Sequence, residues 1–259
     1  MPVDMVVKNG KLVTSAGVVE GGVAIDKGEI VGIAKDVNLP KADETIDASG
    51  NPVFPGAIDP HVHLRAKAYP FEHNCLTESQ SAVTGGITTI IHYLTEDQSL
   101  FNVFEEKREA VEKKSLVDMA FHVMLFNDMQ LEETPQYREK LGITSFKFMM
   151  GYTGEIAKQI GIMEIDDGIL YRGLEIIRDV PGGVPIVHAE DGYLAEMFTK
   201  KMESTGRQDL EAWTDARPSI CEEEGIRRSL FFAMRASSPI YIAHISSKEG
   251  LEAVQEGKS

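Results

Sequence analysis

The first fifty residues of the chain alternate apolar and polar positions over short segments that glycine and asparagine interrupt. This alternation is typical of β-strands with one buried face. Asn9-Gly10 and Lys27-Gly28 are residue pairs that favour tight turns between such strands. The pattern therefore predicts a small all-β portion over residues 1–53.

After Pro55 the pattern changes to short apolar runs that alternate with longer amphipathic segments. The apolar runs are predicted strands at 56–63, 87–93, 117–125, 143–149, 184–189 and 239–245. The segments between them, such as 102–114 and 166–179, are predicted helices. Alternating strands and helices indicate an α/β fold with a parallel sheet, which we assign to residues 54–259.

Local signals mark two helix ends in this second portion. Ser246 and Glu249 have capping-box spacing at the start of the last predicted helix. Gly85-Gly86, before the second strand, fits a helix C-cap, and no phosphate-binding glycine motif follows it.

Six strand–helix units fit either of two α/β folds. A (β/α)8 barrel needs two more units, whereas an open doubly wound sheet can end at six strands. An open sheet collects its ligand residues at one switch point, and a barrel collects them from the carboxyl ends of many strands. The positions of the polar residues therefore decide between the two folds.

The first of these strands carries two histidines one residue apart. Asp59, His61 and His63 alternate along the strand, so their side chains are expected to point to the same face. Two imidazoles with a carboxylate behind them suit a metal ion, with Asp59 supporting the two ligands.

Three later predicted strands also carry, at or near their carboxyl ends, a residue that can take part in binding a metal. Lys147 lies in the fourth strand, His188 ends the fifth and His244 ends the sixth. Because these residues recur at strand ends all along the chain, they favour a (β/α)8-type barrel of which about six units are visible. His73, His92 and His122 are interpreted as structural residues, although His92 lies near a strand end and could also reach the site.

Lys147 is unusual because it lies inside an apolar strand. Its side chain is expected to share a face with Ser145 and Met149 and to point into the barrel, where an ammonium is costly to bury. Burial lowers the pKa of a lysine, and the neutral amine can be chemically modified or can act as a nucleophile. A Schiff-base lysine is the alternative, but it would not explain the histidines.

Composition limits the classes of partner. The 259 residues have a formal net charge of −15 at pH 7, which argues against nucleic acid and membranes. The N-terminus lacks a basic segment followed by a long apolar stretch, and we expect a soluble, cytoplasmic protein. Cys75 and Cys221 are too few for a disulfide framework and are expected to be reduced thiols.

Six motifs together resemble the cyclic amidohydrolases of the hydantoinase and dihydropyrimidinase group. They are PGAIDPHVHLR, AVTGGITTII, SFKFMMGY, VHAEDGYL, ARPSICEEEGIRRSL and IYIAHISSKEGLEAV. The resemblance implies a distorted (β/α)8 barrel with a small β-sandwich built from both chain ends, and a homotetramer. It also implies that a metal-bridging hydroxide opens the ring amide of a hydantoin or dihydropyrimidine to give an N-carbamoyl amino acid.

The same resemblance implies two divalent metal ions, usually zinc. Lys147 would be carboxylated to a carbamate that bridges them, with His61 and His63 on one ion and His188 and His244 on the other. A carbamate offers oxygen atoms to two metals, whereas a free lysine offers none.

Two further residues have roles by resemblance. Tyr152 matches the family tyrosine that hydrogen-bonds the developing oxyanion. Arg65 lies where the related dihydroorotases bind a substrate carboxylate, so it is a candidate substrate-binding residue or part of a surface salt bridge. The group also needs an aspartate at the end of an eighth strand, and we expect this sequence to be the front part of a longer protein or a truncated relative.

Other functions stay open. A dihydroorotase or an allantoinase would use a similar site on a different ring. A non-catalytic interaction protein, like the collapsin response mediator proteins, would lack the metal ligands, and an inactive truncated relative would lack turnover. The five ligand positions present here favour the enzyme.

Overall fold

The computed structural model describes residues 2–64 and 69–258. These residues divide into two compact units, the first comprising residues 2–58 and 84–89 and the second comprising the remaining described residues. None of the helices in the described part combines the length and apolar character needed to cross a bilayer.

Strands and helices follow one another in the predicted order. The strands are β1 (Val3–Thr14), β2 (Gly17–Asp26), β3 (Glu29–Ala34), β4 (Ala42–Asp47), β5 (Pro52–Val53), β6 (Ala57–Val62), β7 (Ile87–Leu94), β8 (Asp118–Met124), β9 (Ser145–Met149), β10 (Val184–His188) and β11 (Tyr241–Ile242). The helices are α1 (Phe71–Thr84), α2 (Phe104–Lys114), α3 (Asp128–Leu141), α4 (Gly154–Ile160), α5 (Asp167–Arg178), α6 (Gly192–Glu203), α7 (Leu210–Asp215), α8 (Ser219–Ala236) and α9 (Lys248–Gly257). Short 3₁₀ turns lie at Asp36–Asn38 and Leu100–Asn102.

The first unit contains a sheet in the order β3-β2-β1-β4, with β5 also paired to β1. The Lys27-Gly28 turn is confirmed, because both residues have positive φ (52° and 80°) between β2 and β3. The prediction of a hairpin turn at Asn9-Gly10 is wrong. β1 runs through this pair, and the pairing with β2 shifts register between Val7 and Gly10, with Asn9 at a φ of 56°. The left-handed residue therefore makes a β-bulge rather than a turn. The β-sandwich of this portion stays a prediction.

The larger sheet has the sequential order β6-β7-β8-β9-β10-β11. The pairs β8–β9, β9–β10 and β10–β11 are parallel, which confirms an α/β fold with helical crossovers. All six predicted strands are present, although β11 covers two residues of the predicted 239–245. Pro239 cannot donate a backbone hydrogen bond, and His244 has a φ of 40°, so extended pairing stops at both sides.

The cap of the last helix differs from its prediction by one residue. Ser247, not Ser246, is the N-cap of α9, and its hydroxyl accepts a hydrogen bond from the Gly250 N–H at 3.0 Å. The Ser246 hydroxyl instead donates to the His244 carbonyl at 2.9 Å. Local spacing misses this choice because a residue on α8 holds both serines, as described below. Gly85 and Gly86 follow the end of α1 as predicted, with Gly86 at a φ of 81°.

Helix α5 shows how the crossovers pack on the sheet. Its buried residues Leu170, Gly173, Leu174 and Ile177 follow the helical period and form one apolar face. A Cβ added at Gly173 would lie 2.3 Å from Cζ of Phe148, which is fully buried on β9. The glycine therefore lets α5 approach the strand that carries Lys147.

We predict that Gly173→Ala destabilises the chain by about 1–3 kcal/mol, because a rigid aromatic ring cannot yield to the added methyl group. This clash outweighs the helix propensity of alanine, which favours the substitution by about 1 kcal/mol. Urea unfolding monitored by circular dichroism measures the difference. Gly168→Ala is the matched control in the same helix, because its added Cβ would meet only the Asp166 Oδ1 atom, at 3.3 Å. Equal midpoints for the two variants would contradict the close packing of α5 on β9.

Candidate metal centre

The candidate residues gather at the carboxyl ends of strands that are far apart in the sheet. His61 lies on β6 and His244 follows β11, the two outer strands of the six-stranded sheet. Five strand spacings in a flat sheet would separate these strands by about 24 Å. The two imidazole centroids are 5.1 Å apart, so the sheet curls strongly enough to bring its edges together.

The four predicted histidine ligands form one continuous row of rings. The ring centroids of His63 and His61 are 5.3 Å apart, and those of His188 and His244 are 4.7 Å apart. The Nδ1 atom of His188 lies 3.1 Å from Nε2 of His244. All four side chains therefore occupy one site.

Lys147 lies inside this group and is buried, with 1% of its surface exposed. Its Nζ atom has no hydrogen-bond partner among the described residues and lies 5.5 Å from the ring centroid of Tyr93. Burial lowers the pKa of the Lys147 amine to about 7, as the sequence predicts. A large fraction of the amine is therefore neutral near physiological pH.

Two of the imidazoles, those of His61 and His244, are also held in their neutral form. Loss of hydration, followed by the neighbouring Lys147 charge, lowers the pKa of His61 to about 4. Loss of hydration, followed by the charges of His188 and Lys147, lowers the pKa of His244 to about 4. Neutral imidazoles have the free lone pair that metal binding requires.

The donor set determines which metal group fits. Within residues 2–64 and 69–258, no three His, Cys, Asp or Glu side chains already share the geometry of a metal site. Four imidazoles beside one buried amine nevertheless suit zinc if the amine becomes an anionic oxygen donor. The buried Nζ atom has no hydrogen-bond partner within residues 2–64 and 69–258, which fits such a modification, so the residues present fit a two-metal centre with a carboxylated Lys147.

Tyr93, which the sequence analysis does not single out, and His122, which it interprets as structural, both lie beside this site. The fully buried Tyr93 ring lies 4.6 Å from the His61 ring, stacks on His63 at 4.8 Å and lies 4.6 Å from the His122 ring. His122 Nε2 lies 3.1 Å from the Pro60 carbonyl, and its Nδ1 contacts the Ser145 hydroxyl. Tyr93 is the next-to-last residue of β7, at the edge that carries the ligands, and this position is the signal that could have identified it.

The remaining predicted residues lie at different distances from the centre. The ring centroid of Tyr152 lies 5.9 Å from that of His188, at the same edge of the sheet. Asp59 Oδ1 accepts a hydrogen bond from the His61 backbone N–H at 3.1 Å. The prediction for Arg65 concerns a residue outside the described ones.

Glu222 on α8 holds the segment that carries His244. Its carboxylate accepts hydrogen bonds from the Ser246 N–H at 2.8 Å and from the Ser247 N–H at 2.7 Å, and it also contacts the Ser247 hydroxyl. His244 has a left-handed backbone, which a non-glycine residue adopts at a cost of about 1 kcal/mol or more. The bonds to Glu222 offset part of that cost.

Comparisons with known proteins give the same group as the motifs. No family model matches the chain. A D-hydantoinase from Geobacillus stearothermophilus is 34% identical over 267 residues, which cover 98% of this chain and 53% of that protein. An allantoinase from Solibacter usitatus is 31% identical over 265 residues, which cover 99% of this chain and 55% of that protein.

A solved structure supports the same relationship. The L-hydantoinase (dihydropyrimidinase) from Arthrobacter aurescens superimposes with a TM-score of 0.87 at 28% identity, covering 99% of this chain and 56% of that one. The chain therefore spans about half the length of the relatives it matches. Along nearly its whole length, the chain is thus a homologue of the hydantoinase and dihydropyrimidinase group of cyclic amidohydrolases.

Proposed function

We propose that this chain carries the metal-binding residues of a hydrolase that opens the ring amide of a hydantoin or dihydropyrimidine to an N-carbamoyl amino acid. One observation carries the proposal, namely that the buried Lys147 Nζ atom lies near four strand-end histidines and has no hydrogen-bond partner in the part of the chain that the structure describes. Similarity to proteins named D-hydantoinase and L-hydantoinase supports the choice of a cyclic amide as substrate.

Lys147 supplies the bridging group in this proposal. Its neutral Nζ attacks the carbon of carbon dioxide, an N–C bond forms, and one proton is released. The product is a carbamate, whose two oxygen atoms share one negative charge. A pKa of about 7 makes the neutral amine available, and the neutral imidazoles of His61 and His244 leave the new charge for a cation to balance.

The other side chains bind and orient. His61 and His63 would hold one divalent ion, and His188 and His244 the other. Two divalent ions, zinc in our proposal, supply Lewis acidity and lower the pKa of bound water when present. The Tyr152 O–H would donate to the oxygen of the scissile carbonyl, a contribution of about 3 kcal/mol for one such donor.

We predict that Lys147→Met abolishes zinc retention and ring opening, because methionine fills the same space without a group that becomes an anionic ligand. The metal-free variant should be as stable as the original chain or more so, since a buried polar group without a partner costs about 1–3 kcal/mol. Elemental analysis after gel filtration measures zinc, and thermal unfolding measures stability.

Lys113→Met is the matched control, because Lys113 is an exposed lysine that pairs with Glu109 on α2. This control should keep its zinc and its activity. A folded Lys147→Met chain that retains as much zinc as Lys113→Met would rule out Lys147 as the source of a metal ligand.

We also predict that zinc binding depends on dissolved carbon dioxide. The metal-free chain in carbon-dioxide-free buffer should bind zinc weakly, and ¹³C-bicarbonate should restore tight binding and give a carbamate carbon signal in the ¹³C NMR spectrum. Lys147→Met should give neither response. An unchanged zinc affinity with and without bicarbonate would contradict the carbamate.

The allantoinase relative favours a second candidate ring. We expect the zinc-loaded protein, supplied with the eighth-strand aspartate that the group requires, to open hydantoin or dihydrouracil faster than allantoin or dihydroorotate, as measured by the ring-opened products. If allantoin were turned over faster than the other three substrates, the chain would be assigned to an allantoinase instead of a hydantoinase. In the same assay, selective loss of dihydroorotate turnover in Arg65→Ala would assign Arg65 to a substrate carboxylate.

A further inference from the structure

His188 has a carboxylate partner on the side of its ring that faces away from His244. The Nε2 atom of His188 lies 3.2 Å from Glu190 Oε2, and its Nδ1 atom lies 3.1 Å from His244 Nε2. The two nitrogen atoms of one imidazole therefore have different neighbours. One faces an acceptor that is always ionised near neutral pH, and the other faces the candidate metal centre.

Arg217 holds Glu190 in place from the far side. Its Nη1 atom lies 2.7 Å from both oxygen atoms of the Glu190 carboxylate. The guanidinium itself lies 5.5 Å from the ring of Trp213 on α7. Glu190 is mostly buried, with 15% of its side chain exposed, so this pairing is only weakly screened by water.

Two glycines leave space for the His188–Glu190 pair and for the backbone that carries it. A Cβ at Gly151, just after β9, would lie 2.6 Å from Glu190 Oε2 and 2.7 Å from His188 Nε2. A Cβ at Gly225, on α8, would lie 2.7 Å from the backbone nitrogen of Glu190. A side chain at Gly151 would therefore collide with the His188–Glu190 hydrogen bond, and a side chain at Gly225 would collide with the Glu190 backbone.

We propose that Glu190, oriented by Arg217, is a positioning residue that fixes the His188 tautomer with a proton on Nε2 and a free lone pair on Nδ1. An ionised carboxylate can only accept a hydrogen bond, so Nε2 must donate and Nδ1 is left as the nitrogen that faces His244. A carboxylate behind a metal-binding imidazole also increases its basicity. That Nδ1 binds a metal ion rests on the proposed function, whereas the tautomer does not.

The tautomer is measured in the metal-free chain with ¹⁵N-labelled histidine and two-bond ¹H–¹⁵N correlation spectra. We expect His188 to show a protonated Nε2 and an unprotonated Nδ1. In Glu190→Met the Nε2 proton should exchange rapidly and the two tautomers should mix. Glu190→Gln keeps an acceptor oxygen and should fall between the two, as should Arg217→Lys.

Zinc affinity is measured on the same chains by competition with a colorimetric chelator. We expect Glu190→Met to weaken binding by about 10- to 100-fold, as is typical when the carboxylate partner of a metal-binding histidine is removed. Arg207→Lys is the control, because Arg207 makes comparable ion pairs with Asp209 and Asp215 beside α7. It should change neither the His188 tautomer nor the affinity.

The two readouts separate the hypotheses. A protonated Nδ1 on His188 in the unsubstituted chain, or an unchanged tautomer in Glu190→Met, would overturn the positioning role even if zinc binds. Absence of zinc binding in the unsubstituted chain, with the expected tautomer present, would overturn the proposed function and leave the positioning role intact. A general loss of structure would also disturb the His61 signals, which the positioning role leaves unchanged.

Discussion

The candidate site depends on the burial of one lysine amine where the strand ends converge. Removing the Lys147 nitrogen from water favours its neutral form. The same loss of water keeps the neighbouring His61 and His244 imidazoles neutral. Burial at the carboxyl end of a strongly curled sheet therefore favours the neutral forms of Lys147, His61 and His244.

Helix α8 and the loop before it act as a common support for the later ligands. Arg217 contacts the carboxylate beside His188, and Glu222 holds the segment that follows His244. Gly225 lets the helix approach the backbone of Ala189 and Glu190. The orientation of two histidines on neighbouring strands is therefore coupled through one helix, which makes no direct contribution to the donor set.

The strands and the main candidate residues were predictable because their signals are local. A short apolar run ending in histidine indicates both a strand and its functional end, and the lysine inside the SFKFMM segment contradicts its apolar surroundings. Tyr93 was missed because an aromatic residue at a strand end is normally part of the core. Only the curvature of the sheet brings its ring against His61 and His63.

The errors arise where a residue distant in sequence decides a local choice. The Asn9-Gly10 pair forms a bulge because β1 continues to pair with β2 on both sides of it. The identity of the two residues alone does not indicate this pairing. Ser247 rather than Ser246 caps α9, because Glu222 on another helix holds both serines. Glu190 lies two positions after a predicted ligand, but the role proposed for it depends on Arg217, which lies 27 positions away.

The contact between His61 and His244 has a consequence for the synthesis of the protein. The two residues are 183 positions apart, so the last histidine leaves the ribosome only after nearly all of these 259 residues have been made. Closing so long a loop costs conformational entropy before the contact stabilises the chain, so contacts of this range form late in folding. A nascent chain with only the first strands exposes the His61–His63 pair without its counterparts, and a cation bound there early would exchange freely. An ion that needs ligands from both outer strands of the sheet could therefore be held tightly only after the sheet has curled and brought His61 and His244 together.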